Sequence, residues 1–291
     1  MTSIDIVVPI RNEEKALPIF IAEIDELKKL KGVSLKIIFV EDSSTDRTVS
    51  GLRQMASERS DVGYICLSKS YGQGQAVFFG LYCSNADAVI MMDGDGSHPI
   101  SAIPKLIQKF IDGADIVQCR RRSFPQRDPI RNLCTNLFTF LSGILINSNF
   151  DDQNIYFRLV SKNIRKKILL KNLYWASARF PLKLIPDSKI EFLDIDSKER
   201  EEGESKFGFI RLLTVAIDVT LSLMTRQRLI FWIAFTFTLA GILLSVIPML
   251  SALILIGALL ITIRYKYFTF ASYATKIKVS ESANIILPDR S

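Results

Sequence analysis

Five short apolar runs rich in β-branched residues recur in the first 120 positions, and most end in a polar cluster. They are residues 4–10 (IDIVVPI), 36–42 (KIIFVED), 64–68 (YICLS), 88–93 (AVIMMD) and 114–119 (ADIVQC). Helical spacing fills the gaps: a pattern through about Lys29, a helix opened by STDRT with Ser44 or Thr45 as its cap, and helices over 73–84 and 101–112. Strands that alternate with helices bury both elements as a parallel sheet covered on its two faces. Ligands in such sheets bind beyond the carboxyl ends of the strands. The clusters RNEE (11–14), EDSSTD (41–46), SKSYGQG (68–74) and DGDGSHP (93–99) all fall at those ends.

The last cluster sets two carboxylates, Asp93 and Asp95, one residue apart between glycines. At ~5 Å and an effective dielectric near 20 they repel by roughly 3 kcal/mol, so a positive partner is expected. Oxygen-only ligands favour Mg2+ or Mn2+ over Zn2+. The four cysteines show no CxxC spacing and the chain has one histidine, His98, which argues against a zinc site or a disulfide framework. No GxGxxG follows the first strand, and neither a P-loop nor a GxSxG elbow is present. The net charge of +7 suits an anionic partner. A carboxylate rim, a metal and many basic groups together suit a nucleotide diphosphate. Nucleic-acid binding would account for the basic charge but not for the carboxylate rim, so no nucleic-acid partner is expected.

Beyond residue 120 the character changes. Residues 120–131 (RRRSFPQRDPIR) are basic, with two prolines, and read either as a solvated loop or as an anion-binding one. An apolar helical segment follows over 132–146, then an acidic-to-basic turn, DDQNIYFR, at 151–158. Residues 198–208 form a charged, glycine-punctuated loop. Residues 209–224 read as a helix in a membrane interface or as a core helix packed on the domain. Residues 229–263 contain no Asp, Glu, Lys, Arg or His. Two helices of ~17 residues would each cover ~26 Å, slightly short of the ~30 Å of a bilayer's hydrocarbon core. Pro248 marks the break, and Arg226, Arg228, Arg264 and Lys266 flank the stretch, as in a hairpin with both ends cytoplasmic. One long tilted helix and a buried soluble pair are the alternatives. Met1 is followed by a strand pattern rather than a signal-peptide core, so the first domain is expected to stay in the cytosol. Residues 276–291 read as a polar, mobile tail.

VVPIRNE (7–13), VEDSSTDRT (40–48), SKSYGQGQA (68–76), MDGDGSHP (92–99) and EREEGESKFG (199–208) resemble, in order, the signature series of family-2 glycosyltransferases. The resemblance is closest to the polyprenyl-phosphate branch, which includes dolichol-phosphate mannose synthases and bacterial undecaprenyl-phosphate sugar transferases. It covers about residues 4–266. It implies a GT-A-type α/β domain with a mostly parallel sheet over 1–206, cytoplasmic and catalytic. An amphipathic interfacial helix (207–226), a transmembrane hairpin (227–266) and a polar tail (267–291) would follow, in a multi-pass protein of the plasma membrane.

The resemblance also implies roles. Pro9, Arg11, Glu13 and Asp42 would lie along the nucleotide, with Glu41 in the usual first acidic position and Lys69 where arginine is common. Asp93 and Asp95 would hold Mg2+ or Mn2+, Asp95 being the direct ligand. Ser97 stands where many relatives have glutamine, and being shorter it leaves room for water. Arg121 and Arg131, with Thr135, would grip the phosphate of a polyprenyl-phosphate acceptor, with Arg120 and Arg122 as substitutes. Asp152 with Phe157–Arg158 matches the D…FR motif, Tyr156 standing where some relatives carry aspartate. Arg200, Ser205 and Lys206 match a loop that closes over the diphosphate. The implied reaction is inverting transfer from a nucleotide-sugar, a UDP-hexose, to the lipid phosphate at a bilayer. A homo-oligomer through the hairpin stays open. A saccharide acceptor and a degenerate, non-catalytic membrane scaffold are the rival readings.

Overall fold

The computed structural model describes residues 1–122, 154–170, 187–196, 232–238, 254–260, 278–285 and 287. The chain divides into two compact units. One comprises Met1–Gln126, Asp151–Glu204 and Ser272–Ser291; the other comprises Arg127–Phe150 and Ser205–Ala271.

Among the described residues the first unit has eight strands: β1 (Thr2–Ile10), β2 (Val33–Glu41), β3 (Val62–Leu67), β4 (Ala88–Met91), β5 (Ile116–Arg121), β6 (Asn154–Ser161), β7 (Ile190–Ile195) and β8 (Val279–Ala283). They form one sheet in the order β7-β5-β6-β4-β1-β2-β3-β8. β3, β2, β1 and β4 run parallel, as the alternating pattern predicts. Every residue of β3 and β4 is buried, so these strands read as continuous apolar runs rather than alternating ones.

Among the described residues five α-helices accompany the strands: α1 (Ala16–Asp25), α2 (Thr48–Glu58), α3 (Gln73–Cys83), α4 (Ile103–Ile111) and α5 (Lys162–Leu170). α1 buries Leu17, Phe20, Ile21 and Ile24, one stripe at helical spacing, and Phe20 meets Phe39 of β2 edge-on with ring centroids 5.8 Å apart. α3 is buried almost all round and packs on β1 and β2.

The structure differs from the sequence pattern at several places. Residues 154–158 of the stretch read as a turn belong to the strand β6, which enters antiparallel between β4 and β5, and β7 has no counterpart in that pattern. α1 ends at Asp25 and tightens into a 3-10 turn over Glu26–Lys29. Neither Ser44 nor Thr45 caps α2: the Asp46 carboxylate accepts from the Thr48 amide at 3.0 Å, while Ser44 and Thr45 bond to Asn12. Finally, the segment read as a polar tail contributes β8, which pairs antiparallel with β3 and closes that edge of the sheet.

In the second unit, residues 232–238 and 254–260 are helical, and Phe235, Phe237, Ile256, Leu259 and Leu260 are exposed on them. No helix among the described residues is long and apolar enough to cross a membrane. The remaining residues of the expected hairpin, the interfacial helix and the apolar segment 132–146 lie outside the described residues.

Candidate active site

The strand order places the polar clusters side by side on one rim. β1 lies between β2 and β4, so Arg11 stands between the Asp42 side and the Asp93–Asp95 side. β5 runs antiparallel to β6, as does β4, so the carboxyl end of β5 with Arg121 reaches the same rim.

On the β2–β3 side, Asp42 is buried and its carboxylate is well supplied with donors. Oδ1 accepts from the Tyr71 amide at 2.6 Å; Oδ2 accepts from the Ser70 hydroxyl and the Gly72 amide, each at 2.9 Å. The loop Ser68–Gly72 is thus wrapped onto Asp42. Arg11 donates from Nη1 to the Ser70 Oγ at 3.0 Å, which joins β1 to the same network. Lys69 is exposed and sets its ammonium 5.3 Å from the Tyr71 ring centroid. Glu13 is half-buried, and its amide donates to Thr48 Oγ1 at 2.9 Å. Pro9 pairs in register with Val40 one position before the end of β1. Glu41 is buried and accepts from the Ser44 amide. Asn12 and Ser43 both take positive φ, 56° and 62°, so the loops after β1 and β2 are held in sparsely populated conformations.

On the β4 side, the glycines of DGDG have separate reasons. A Cβ on Gly94 would sit 2.8 Å from Ile10 Cγ2 and 2.9 Å from Val8 Cγ1, so only glycine lets this turn lie against β1. Gly96 has φ +74° with open space around it, so there the requirement is conformational. Gln73, the first residue of α3, donates to Asp93 Oδ1. The Ser97 amide donates to Asp95 Oδ1 at 3.1 Å.

His98 supports the turn from below. It is buried, stacks on Phe157 of β6 at 5.2 Å, and its Nδ1 accepts from the Asp93 amide at 3.1 Å. Burial pushes its pKa down to about 4, so the imidazole is neutral near pH 7 and carries no charge to the site. Its Nε2 lies 3.9 Å from Asp93 Oδ2, beyond hydrogen-bond range.

Asp93 and Asp95 offer oxygen donors at a rim built from backbone amides and basic side chains. Among the described residues no three His, Cys, Asp or Glu side chains form a metal cage. Mg2+-type cations are held through one or two carboxylates and complete their shell with substrate phosphates and water. The donor set therefore fits such an ion with a diphosphate.

On the far side of β4, Tyr156 is buried beside Asp93 with its hydroxyl unpartnered, and burial with the neighbouring carboxylate raises its pKa well above the ordinary phenol value. Arg158 pairs across to Met91 and Gln118 and is buried; desolvation lowers its pKa to about 10, so it remains a cation.

Successive residues of a strand face opposite ways, which separates the three arginines of β5 and its end. Arg120 stacks on Phe192, 3.8 Å from the ring centroid, and faces Asp194 at 3.6 Å; Arg122 reaches Asp196 at 3.3 Å. Arg121 points the other way, near enough to His98 to lower its basicity, and its buried Nε has no hydrogen-bond partner. Arg131, Thr135, Asp152, Arg200, Ser205 and Lys206 lie outside the described residues. Gln73, Ser70 and the amides of Tyr71 and Gly72 are site groups that the motifs alone do not single out; the SKSYGQG cluster itself is their signal.

Residues 5–173 match the family described as Glycosyl transferase family 2. The chain belongs to this family. It is 30% identical over 218 residues to the prophage bactoprenol glucosyl transferase homolog of Escherichia coli K12, covering 74% of this chain and 70% of that protein. It is 27% identical over 255 residues to the undecaprenyl-phosphate 4-deoxy-4-formamido-L-arabinose transferase of Photorhabdus laumondii, covering 86% and 77%. Among solved structures it resembles glucosyl-3-phosphoglycerate synthase from Mycobacterium tuberculosis in complex with Mn2+, UDP-glucose and glycerol 3-phosphate. That likeness has a TM-score of 0.54 at 20% identity, over 76% of this chain and 79% of that one, and it supports the GT-A-like fold of this family-2 transferase.

Proposed function

We propose that this family-2 enzyme transfers a sugar from a nucleotide-sugar donor, a UDP-hexose, to polyprenyl phosphate with inversion at the anomeric carbon. The observation that carries this reading is the rim: a loop-wrapped Asp42 on one side of Arg11, a carboxylate pair on the other, and Arg121 beyond it. The relatives named for bactoprenol and undecaprenyl phosphate supply the acceptor class.

The chain's own groups divide the work. The Ser68–Gly72 loop, Pro9, Arg11, Glu13 and Lys69 border the nucleoside. Asp93 and Asp95 would hold Mg2+ or Mn2+, which when bound supplies positive charge to the departing diphosphate. Arg121, with Arg131 and Asp152 from segments outside the described residues, would bring the lipid phosphate to the sugar; a guanidinium grips phosphate oxygens in a fork. Arg200, Ser205 and Lys206 would close over the diphosphate and exclude water. A phosphate oxygen forms the new bond to C1 as the C1–oxygen bond to the diphosphate breaks, and the electron pair leaves with the nucleoside diphosphate. The attacking phosphate is already ionised, so no side chain has to take a proton. The neutral, hydrogen-bonded His98 accords with that.

The uncharged stretch 229–263 and its basic flanks support a membrane hairpin with the catalytic unit on the cytoplasmic face of the plasma membrane. The exposed apolar side chains on 232–238 and 254–260 accord with lipid contact. Assembly of copies through the hairpin is compatible with this arrangement.

The test is transfer of labelled sugar into an organic-extractable lipid by purified protein. It uses undecaprenyl phosphate, a panel of UDP- and GDP-sugars, and Mg2+ or Mn2+ with an EDTA control. Metal-dependent transfer from one donor is the expected result. Nucleotide and metal binding without transfer to this lipid from any donor would refute the acceptor.

A further inference from the structure

The strand β8 returns to the first unit after an excursion, Ser205–Ala271, that belongs to the second. It does more than cover an edge. Its first contacts fall on the loop that wraps Asp42: the Ser68 amide donates to the Lys278 carbonyl at 2.9 Å, and the Lys278 amide donates to the Tyr71 hydroxyl at 3.2 Å. Tyr71 is therefore held twice, by its amide on Asp42 and by its phenol oxygen on the C-terminal segment. The β3–β8 register shifts between Cys66 and Leu67, immediately before this loop. Irregularities of that kind re-aim the chain next to binding sites.

The rest of β8 is anchored along β3 and α2, as far as the start of β3. Glu281 takes both ends of the Arg53 guanidinium and the Tyr64 hydroxyl. The Asn284 amide nitrogen lies within reach of three backbone carbonyls, Ala56 at 2.9 Å, Arg59 at 3.1 Å and Val62 at 2.8 Å. Ser280 donates to the Cys66 carbonyl at 3.1 Å. A strand that served only to cover an edge would need its ladder bonds. The side-chain anchors at one end and the grip on Tyr71 at the other make a tether with two ends.

We propose that β8 is a positioning strap for the donor: by fastening Ser68 and Tyr71 it holds the Ser68–Gly72 loop in the Asp42-wrapped form that nucleotide binding requires. The strap rests on the reading above that this rim binds a nucleoside diphosphate. It makes donor affinity depend on a segment that follows the apolar stretch, although no β8 side chain is assigned to the chemistry.

The experiment uses the full-length purified protein, UDP and GDP binding by calorimetry, and initial rates with donor and acceptor varied separately. Tyr71→Phe removes the bond at the loop. Asn284→Gly removes the distal anchor while keeping the positive φ of 57° at that position. Both variants are expected to weaken nucleotide binding and raise the donor KM, Tyr71→Phe about fivefold, as loss of one hydrogen bond would do, and Asn284→Gly at least as much. The kcat and the acceptor KM should stay near wild type. Lowered melting temperature with unchanged nucleotide affinity and donor KM would overturn the strap and leave β8 as an edge cover. Wild-type protein that binds neither nucleotide would instead overturn the nucleotide site itself, and the strap with it.

Discussion

Replacing Gly94 and Gly96 separates crowding from conformation within one turn. At Gly94 an added methyl would meet Ile10 Cγ2 at 2.8 Å and Val8 Cγ1 at 2.9 Å, under any ordinary carbon contact. Both neighbours are β-branched and buried in β1, with relative exposures of 3% and 0%, so neither can swing aside. Overpacking of this kind costs about 1–3 kcal/mol. For a domain of this size that is a melting shift on the order of 2–4 °C per kcal/mol. The turn can also relieve the clash by moving off β1, which would carry Asp93 and Asp95 with it. At Gly96 an added methyl would meet nothing within 4 Å, and only the positive φ stands against it. There alanine costs about 1–2 kcal/mol, and asparagine, which tolerates that backbone region, costs less. The ranking should therefore invert: Gly94→Asn worse than Gly94→Ala, but Gly96→Asn better than Gly96→Ala. The assay is thermal unfolding in detergent together with the Mn2+ concentration that half-saturates transfer. Wild-type melting and metal dependence in Gly94→Asn would refute the close packing of this turn on β1.

Asp95→Asn should abolish turnover with little change in melting temperature, since it removes a charge from a half-exposed rim; full activity would sink the metal assignment. Arg121→Gln should raise the acceptor KM by about tenfold or more, whereas Arg122→Gln, whose partner is the exposed Asp196, should change it little; equal effects would refute the facing of β5. Hydrogen bonds, first from Arg53 and then from Tyr64, depress the Glu281 pKa from 4.5 to about 2. A depressed carboxylate stabilises the fold above its unfolded pKa, so this contribution to β8 docking is present above about pH 4.5 and is lost as pH falls towards 2. Amide exchange in 279–283 should accelerate over that window relative to β1, and Glu281→Gln should remove the difference.

Much of the parallel half of the sheet is legible in the sequence because its signal is local. Buried parallel strands are continuous apolar runs, and β1 to β4 each present one ending in a polar cluster. The Asp93–Asp95 turn is legible for the same reason. What stays hidden depends on partners distant in sequence. β6 pairs antiparallel with β4 and β5, strands distant from it in sequence. β8, VSESA, is short and polar, and reads as a tail until Arg53, Tyr64 and three backbone carbonyls supply its contacts. The cap of α2 escapes a local reading because Asn12, 33 residues before Thr45, competes for it.

The division of labour among the acids follows from what each already holds. Asp42 is enclosed, and three donors from one loop occupy its two oxygens, so its charge goes to fixing that loop. Asp93 and Asp95 sit on a turn whose shape is set by other means: glycine packing against β1, an amide bond to a neutral histidine and the stack of that histidine on Phe157. The carboxylates each accept a bond, Asp95 from the Ser97 amide and Asp93 from the Gln73 side chain, while the turn is held mainly by packing and backbone. On the proposed reading, a buried acid that orders the Ser68–Gly72 loop and a half-buried carboxylate pair beside β4 would place donor recognition and charge stabilisation on different strands, with Arg11 after β1 between them.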